Sequence, residues 1–296
     1  MKKKLADLVA FLGNCYFRFK AVAYLPFNGD WYGLGNRLKG IMNFYQLGYR
    51  KFILVWNTKS WVTDSFENLF ELEGCQIAEY TSGSWLYRFY SIMFRRFFPL
   101  KVVTEETPFW SFILPTTLHK EEFRHRWSFS EKETYSIDFR FNDIPNDICE
   151  FYRPFFLALK PSVKVQERID SVKLPNHVVG VQIRNTGICS DKKDVCSLET
   201  IFAAMEKESP ITVFFISAMN SEISAVFKKR FGQRIVELPE KVYTSMVDAV
   251  ADMYLLGRCS KMIASPGSTF SEVAWWWGGA QIPVVHLKAE FNQANF

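Results

Sequence analysis

From residue 178 to residue 287 the chain alternates between short apolar runs and segments with helical spacing. The runs are HVVGVQIR, ITVFFISA, RIVELP, KMIAS and IPVVHL. Between them lie LETIFAAMEKE, SEISAVFKKRFG, MVDAVADMYLLGRC and TFSEVAWWWGG. A helix after each strand returns the chain to the same edge, so the next strand pairs in parallel. The pattern predicts an α/β fold with a doubly wound parallel sheet, in which functional groups lie beyond the carboxyl ends of the strands.

A shorter version of the pattern stands near the N-terminus. KAVAYLPF (20–27) reads as a strand, NGDWYGLGNRLKG as a glycine-bearing loop, and KFILVW (51–56) as a second strand. Leu38, Ile41, Met42 and Tyr45 give the segment between them helical spacing. Residues 61–150 lack such alternation. Within them SWLYRFYSIMFRRFFPLK (84–101) mixes aromatics with Arg88, Arg95, Arg96 and Lys101, and predicts an amphipathic helix. Residues 148–172 read as two helical pieces interrupted at Pro161. Two domains are expected, 1–155 and 156–296, each Rossmann-like, with a cleft where their loops face each other.

Composition excludes several classes. Hydrophobic residues make up 48% of the 296, enough for packed cores and against disorder. The net charge of +5 suits a phosphorylated ligand and is too small to argue for nucleic acid. The six cysteines form no CxxC pair, and the four histidines form no HExxH motif, so a zinc site is not expected. Neither GxSxG nor GxxxxGK[ST] occurs, against an α/β-hydrolase and a P-loop NTPase. The basic N-terminal run is interrupted by Asp7, Arg18 and Lys20, and reads as neither a signal peptide nor a membrane span. The expectation is a cytoplasmic protein with reduced thiols, with peripheral membrane contact as an option through the basic aromatic segment.

The strand ends carry the chemistry. Arg184 ends the first strand of the second half, Ser217 the second, and Ser265 opens SPGST after the fourth. SPGST leads into a helix, whose first N–H groups can cradle a phosphate, and Arg184 offers a bidentate cation for the same group. The competing reading pairs Arg184 with a nearby carboxylate and uses the serines as helix caps. In the first half, Gly33 and Gly35 permit close backbone approach, but GLGNRLKG is not GxGxxG. Its competing reading is a tight turn with Asn36 as cap and Arg37 in solvent.

GLGNRL, VGVQIRNTG, VFFISAMNSEISAVFKKRFG and DMYLLGRCSKMIASPGSTFSEVAWW, in that order, resemble the fucosyltransferase superfamily, which includes the α1,2- and α1,6-enzymes. The resemblance covers about residues 20–56 and 178–280. It implies a GT-B fold and an inverting, metal-independent glycosyltransferase with the donor held mainly by the C-terminal domain. Arg184 matches the first arginine of the family's diphosphate-binding motif, while Gln182 replaces its usual histidine and Asn185 its second arginine. Asp252 matches an acid that faces guanine in relatives. Ser268 and Thr269 match the loop that receives the pyrophosphate. Ser217 matches a motif whose acids are replaced here by Ala218 and Met219. Asn36 matches the polar residue of the glycine loop. The donor-binding set so implied is Gly35, Asn36, Arg37, Arg184, Ser217, Asp252, Ser265, Ser268 and Thr269.

The implied reaction is a single displacement at an anomeric carbon, needing a base and neutralisation of the leaving diphosphate. Arg184 serves the second task. Asp191 and Asp30 are the acids considered for the first, with Asp194 and Asp64 as rivals. The expected donor is GDP-fucose and the expected partner a glycan acceptor, with no cofactor beyond the donor. The alternatives are another nucleotide sugar such as a UDP-pentose, or a non-catalytic glycan-binding module.

Overall fold

The computed structural model describes residues 22–27, 33–46, 49–89, 91, 117–119, 134–136, 146–184, 196–266 and 268–287. The chain divides into two compact units: Met1–Thr134 with Leu157–Lys160, and Tyr135–Phe156 with Pro161–Phe296.

In the first unit, β1 (Val22–Phe27), α1 (Leu34–Gln46) and β2 (Lys51–Trp56) follow one another, and β1 pairs with β2 in parallel. The short helix α2 (Phe66–Leu69) and strand β3 (Phe70–Leu72) lead to β4 (Gln76–Thr81), which joins the far side of β2, also in parallel. The sheet order is β1-β2-β4. Leu38, Ile41 and Met42 are buried, as their helical spacing predicts.

The expected glycine loop is corrected here. Helix α1 begins at Leu34, with the Arg37 amide bonding the Gly33 carbonyl, so Gly35, Asn36, Arg37 and Gly40 are helical. Tertiary burial of one face outweighs the low helix propensity of glycine. Residues 85–89 are helical, with Trp85 72% and Phe89 47% exposed and their rings 6.5 Å apart. Arg95, Arg96 and Lys101 lie outside the described residues.

Strands β5 (Thr117–His119) and β6 (Thr134–Ser136) pair with each other. Helix α3 (Asn146–Ala158) follows, then β7 (Leu159–Pro161), which pairs with β3, and α4 (Val163–Asp170). The break around Pro161 matches the sequence reading. The boundary expected at 155/156 falls inside α3.

The second unit contains β8 (Val179–Gln182), α5 (Leu198–Glu206), β9 (Phe214–Ser217), α6 (Ser221–Phe231) and β10 (Ile235–Val236). It continues with α7 (Met246–Gly257), β11 (Lys261–Ala264), α8 (Thr269–Trp277) and β12 (Val284–His286). Every strand pairing is parallel and the order is β10-β9-β8-β11-β12. The expected strand RIVELP shrinks to the edge pair Ile235–Val236, because Glu237 turns aside to Ser224 and Lys228.

The core explains the three consecutive tryptophans. Trp275 and Trp276 are buried, and Trp276 stacks on Phe156 with centroids 5.6 Å apart. Trp277 stacks on Tyr254 at 3.9 Å. They pack helices, as expected, and form no open platform. Gly257 lets α7 meet α8: a Cβ there would stand 2.6 Å from the Ala274 carbonyl oxygen. Cys75, Cys149, Cys196 and Cys259 are free thiols. Among the described residues no helix is long and apolar enough to cross a membrane.

Candidate functional site

In the second sheet β8 lies between β9 and β11. The chain runs from β8 outward to β9 and β10, then returns to the other side for β11 and β12. The crevice between β8 and β11 is therefore the point where strand order reverses, the usual ligand position in such sheets.

Both strands present functional groups at that point. Ser265, the first residue after β11, accepts a hydrogen bond from the Arg184 amide at 3.0 Å and donates to the Gln182 carbonyl at 2.8 Å. Its hydroxyl thus fixes the backbone from which the half-buried Arg184 side chain projects. Gln182 is buried, and its side-chain oxygen accepts from Ser271 on α8 at 3.0 Å. The strand end and the first turn of α8 are thereby tied together. Ser268 occupies the N-cap position of α8 in extended backbone but makes no side-chain capping bond. Helix N–H groups left without such a cap attract anions. Thr269 is the first residue of that helix.

One strand away, Ser217 ends β9 and donates to Asp252 Oδ2 at 2.7 Å. Asp252 lies on α7 and is 1% exposed. Lys241 donates to the same oxygen at 2.5 Å and to the Ala218 carbonyl at 2.9 Å. Asp252 Oδ1 is buried without a hydrogen-bond partner. Burial pushes this carboxyl up to about 6, against the lowering pull of Lys241 and Ser217.

In the first unit, Arg37 is wholly buried. Its guanidinium donates to the Asn57 carbonyl at 2.9 Å and to Ser60 Oγ at 3.2 Å, and lies 4.5 Å from the Trp56 ring centroid. Burial lowers its pKa to about 10, which still leaves it charged at neutral pH. Asn57 Oδ1 accepts from Ser82 Oγ at 2.9 Å, and Ser82 accepts the Thr58 amide at 2.7 Å. The ends of β2 and β4 are thus joined by a polar network. Asn36 Oδ1, on the first turn of α1, is buried without a hydrogen-bond partner. Gly35 beside it is also buried.

The structure brings Arg184 and Ser265 into direct contact, and Ser217 and Asp252 likewise. Asp30, Asn185, Asp191 and Asp194 lie outside the described residues. Lys241, Asn57 and Ser82 are additions that sequence reasoning missed. One signal pointed to Lys241: α7 is apolar except for Asp248 and Asp252, four residues apart on one face. Two buried acids on one face require cationic partners.

The fold is shared with solved structures of fucosyltransferases. NodZ α-1,6-fucosyltransferase soaked with GDP-fucose superposes with a TM-score of 0.51 at 18% identity, covering 86% of this chain and 91% of that one. The NodZ fucosyltransferase from Bradyrhizobium gives 0.50 at 17% identity over the same shares. A mutant of Arabidopsis thaliana FUT1 in complex with GDP gives 0.51 at 14% identity, covering 92% of this chain and 70% of that one. No family model and no curated relative matches the chain. The Rossmann-like α/β fold expected from the sequence is borne out, and it is the fold of these fucosyltransferase structures.

Proposed function

We propose that the chain is a glycosyltransferase that moves L-fucose from GDP-fucose to a hydroxyl of a glycan acceptor, with inversion. The observation that carries this reading is the β8–β11 switch point, where Arg184 is held by Ser265 beside the N-terminus of α8. A guanidinium on a fixed strand end and a helix N-terminus together suit a diphosphate leaving group. The choice of GDP-fucose draws on the NodZ structure soaked with that compound.

In this mechanism Arg184 takes the charge that develops on the leaving diphosphate, and Ser268 and Thr269 open the helix that shares it. Ser217 and Asp252 serve the nucleoside side of the donor. A carboxylate, Asp191 or Asp30, takes the proton from the acceptor hydroxyl as the anomeric carbon is attacked. With this cationic provision in the chain itself, turnover persists in excess EDTA. Loss of activity on chelation, restored by Mn²⁺ or Mg²⁺, would refute that part.

The test is release of nucleoside diphosphate from GDP-fucose and from UDP-sugars, with and without oligosaccharide acceptors. GDP release that rises with acceptor is the expected result. Turnover of a UDP-sugar instead would replace the donor. Glycan binding with no turnover of any donor would make the chain a binding module.

A further inference from the structure

We propose that the cavity at the amino ends of β8 and β11 is an anion site separate from the Arg184 crevice, and that it takes a phosphate monoester against the Arg258 guanidinium and the His177 ring. The site is independent of the donor reading, because it lies at the opposite end of the sheet from Arg184. β8 is four residues long, so about 13 Å of strand separates the two ends.

The cavity belongs wholly to the second unit and measures about 310 Å³, within the range of small-molecule pockets. It forms where two stretches of chain meet. Residues 172–178 run from the end of α4 into β8, and α7 closes with Arg258 as its C-cap just before β11. α4 packs against α7, which brings the two stretches together. Leu174 and Leu255 supply apolar wall, and Asn176, His177, Arg258 and Ser260 supply polar groups. Among the described residues no aspartate or glutamate lines it.

The acceptors around the cavity are engaged from within the chain. The Leu255 carbonyl accepts the Arg258 amide at 3.0 Å, and the Leu256 carbonyl the Cys259 amide at 3.2 Å. The Val178 carbonyl accepts both the amide and the hydroxyl of Ser260, each at 2.9 Å. The cationic side is not so engaged. Among the described residues the Arg258 guanidinium has neither an ion-pair partner nor a hydrogen bond, and the His177 ring has no hydrogen bond. Arg258 acts electrostatically on Tyr254 of α7, whose hydroxyl is pushed up by burial and so stays neutral. Donors left over where acceptors are spent suit an anion.

The backbone adds a second sign. His177 has φ 61°, in the left-handed region that glycine or asparagine enters at less cost. The turn before β8 thus carries an imidazole that its backbone disfavours, and that imidazole lines the cavity. The planar fork of Arg258 matches two oxygens of one phosphate, and the ring adds a further donor. Leu174 and Leu255 beside them suit the carbon part of an ester. The phosphate is borne either by a small soluble molecule or by a lipid headgroup, and the experiment separates these sources.

The experiment titrates the full chain with inorganic phosphate and with glycerol phosphate, by calorimetry. The parent carries Arg184→Ala, so that the other arginine considered for phosphate does not contribute. Onto it are placed Arg258→Ala, Arg258→Lys, His177→Asn and, as a control, Lys229→Ala, an exposed cation of α6 outside the cavity. Each is checked for folding by circular dichroism. Saturable binding of glycerol phosphate is expected. Arg258→Ala should weaken it by about tenfold or more, the worth of a hydrogen bond to a charged group. Arg258→Lys should recover part of the loss. His177→Asn keeps a residue that tolerates the left-handed turn and should weaken binding by about threefold. Lys229→Ala should change nothing. A second arm floats the same proteins with phosphatidylcholine vesicles, with and without phosphatidic acid. Flotation that needs phosphatidic acid and is lost in Arg258→Ala supports the site and identifies a headgroup as its ligand. Glycerol phosphate binding without flotation supports the site and identifies a soluble ester. No saturable binding of any of these probes overturns the proposal. Equal weakening by Arg258→Ala and Lys229→Ala also overturns it, since diffuse charge then accounts for binding. Should Arg258→Ala fail to fold, unchanged binding in both Arg258→Lys and His177→Asn overturns it. GDP binding to the chain with Arg184 intact should not respond to Arg258→Ala, so failure of the donor reading leaves this site standing.

Discussion

Arg37 and Arg184 are both arginines near the carboxyl ends of parallel strands, in different units, yet their surroundings differ. Arg37 is sealed inside the first unit, bonded to Asn57 and Ser60 and laid against Trp56. Arg184 is half-buried at the point where strand order reverses, its backbone held by Ser265. Each unit also has a serine just past a strand: Ser82 after β4 and Ser265 after β11. Ser82 serves the Asn57 network, whereas Ser265 serves Arg184. The contrast teaches that a strand-end cation enclosed by its own unit is a structural group, whereas one left half-buried where strand order reverses is the one to propose as a ligand group.

The largest effect that would sharpen this contrast is on Arg184→Ala. Its transfer rate should fall by about 2–4 kcal/mol of transition-state stabilisation, with the melting temperature unchanged. Near-normal turnover would remove Arg184 from the mechanism. Arg37→Met should show the reverse. Loss of a buried charged donor and its ring contact should cost roughly 2–3 kcal/mol of stability, read by urea unfolding. A stable variant with weakened GDP-fucose binding would instead place Arg37 in the donor site and break the comparison.

The serines give the finer pair. Ser82→Ala leaves the Thr58 amide without its acceptor and removes one of the donors to Asn57 Oδ1, and should cost about 1–2 kcal/mol of stability with no change in donor affinity. Ser265→Ala should cost about 1 kcal/mol of stability and also lower turnover, because the Arg184 amide loses its acceptor. Equal effects of the two changes on turnover would erase the distinction between the units.

Much of the fold was legible along the chain. Apolar runs such as VFFIS, and helices stopped by glycine as at Gly232, depend on neighbours only a few residues away. Burial of the tryptophans was equally readable, since three in succession span most of a helical turn and must include the core face. The start of α1 was misread because glycines argue locally for a loop, while the burial that overrides them is tertiary.

The site divides along the same line. That Arg184, Ser217 and Ser265 stand at or just beyond strand ends was readable, because position at a strand's end is a property of the local run. That Ser265 holds the Arg184 amide was not, because the two are 81 residues apart and meet only through the order β10-β9-β8-β11-β12. Lys241 and Asp252 are separated by only 11 residues, yet the contacts that flank Lys241 come from Arg168 of α4, more than 70 residues away. Element type and sheet class follow from short-range periodicity, whereas which polar atoms are satisfied depends on side chains that only the folded sheet brings within hydrogen-bonding distance.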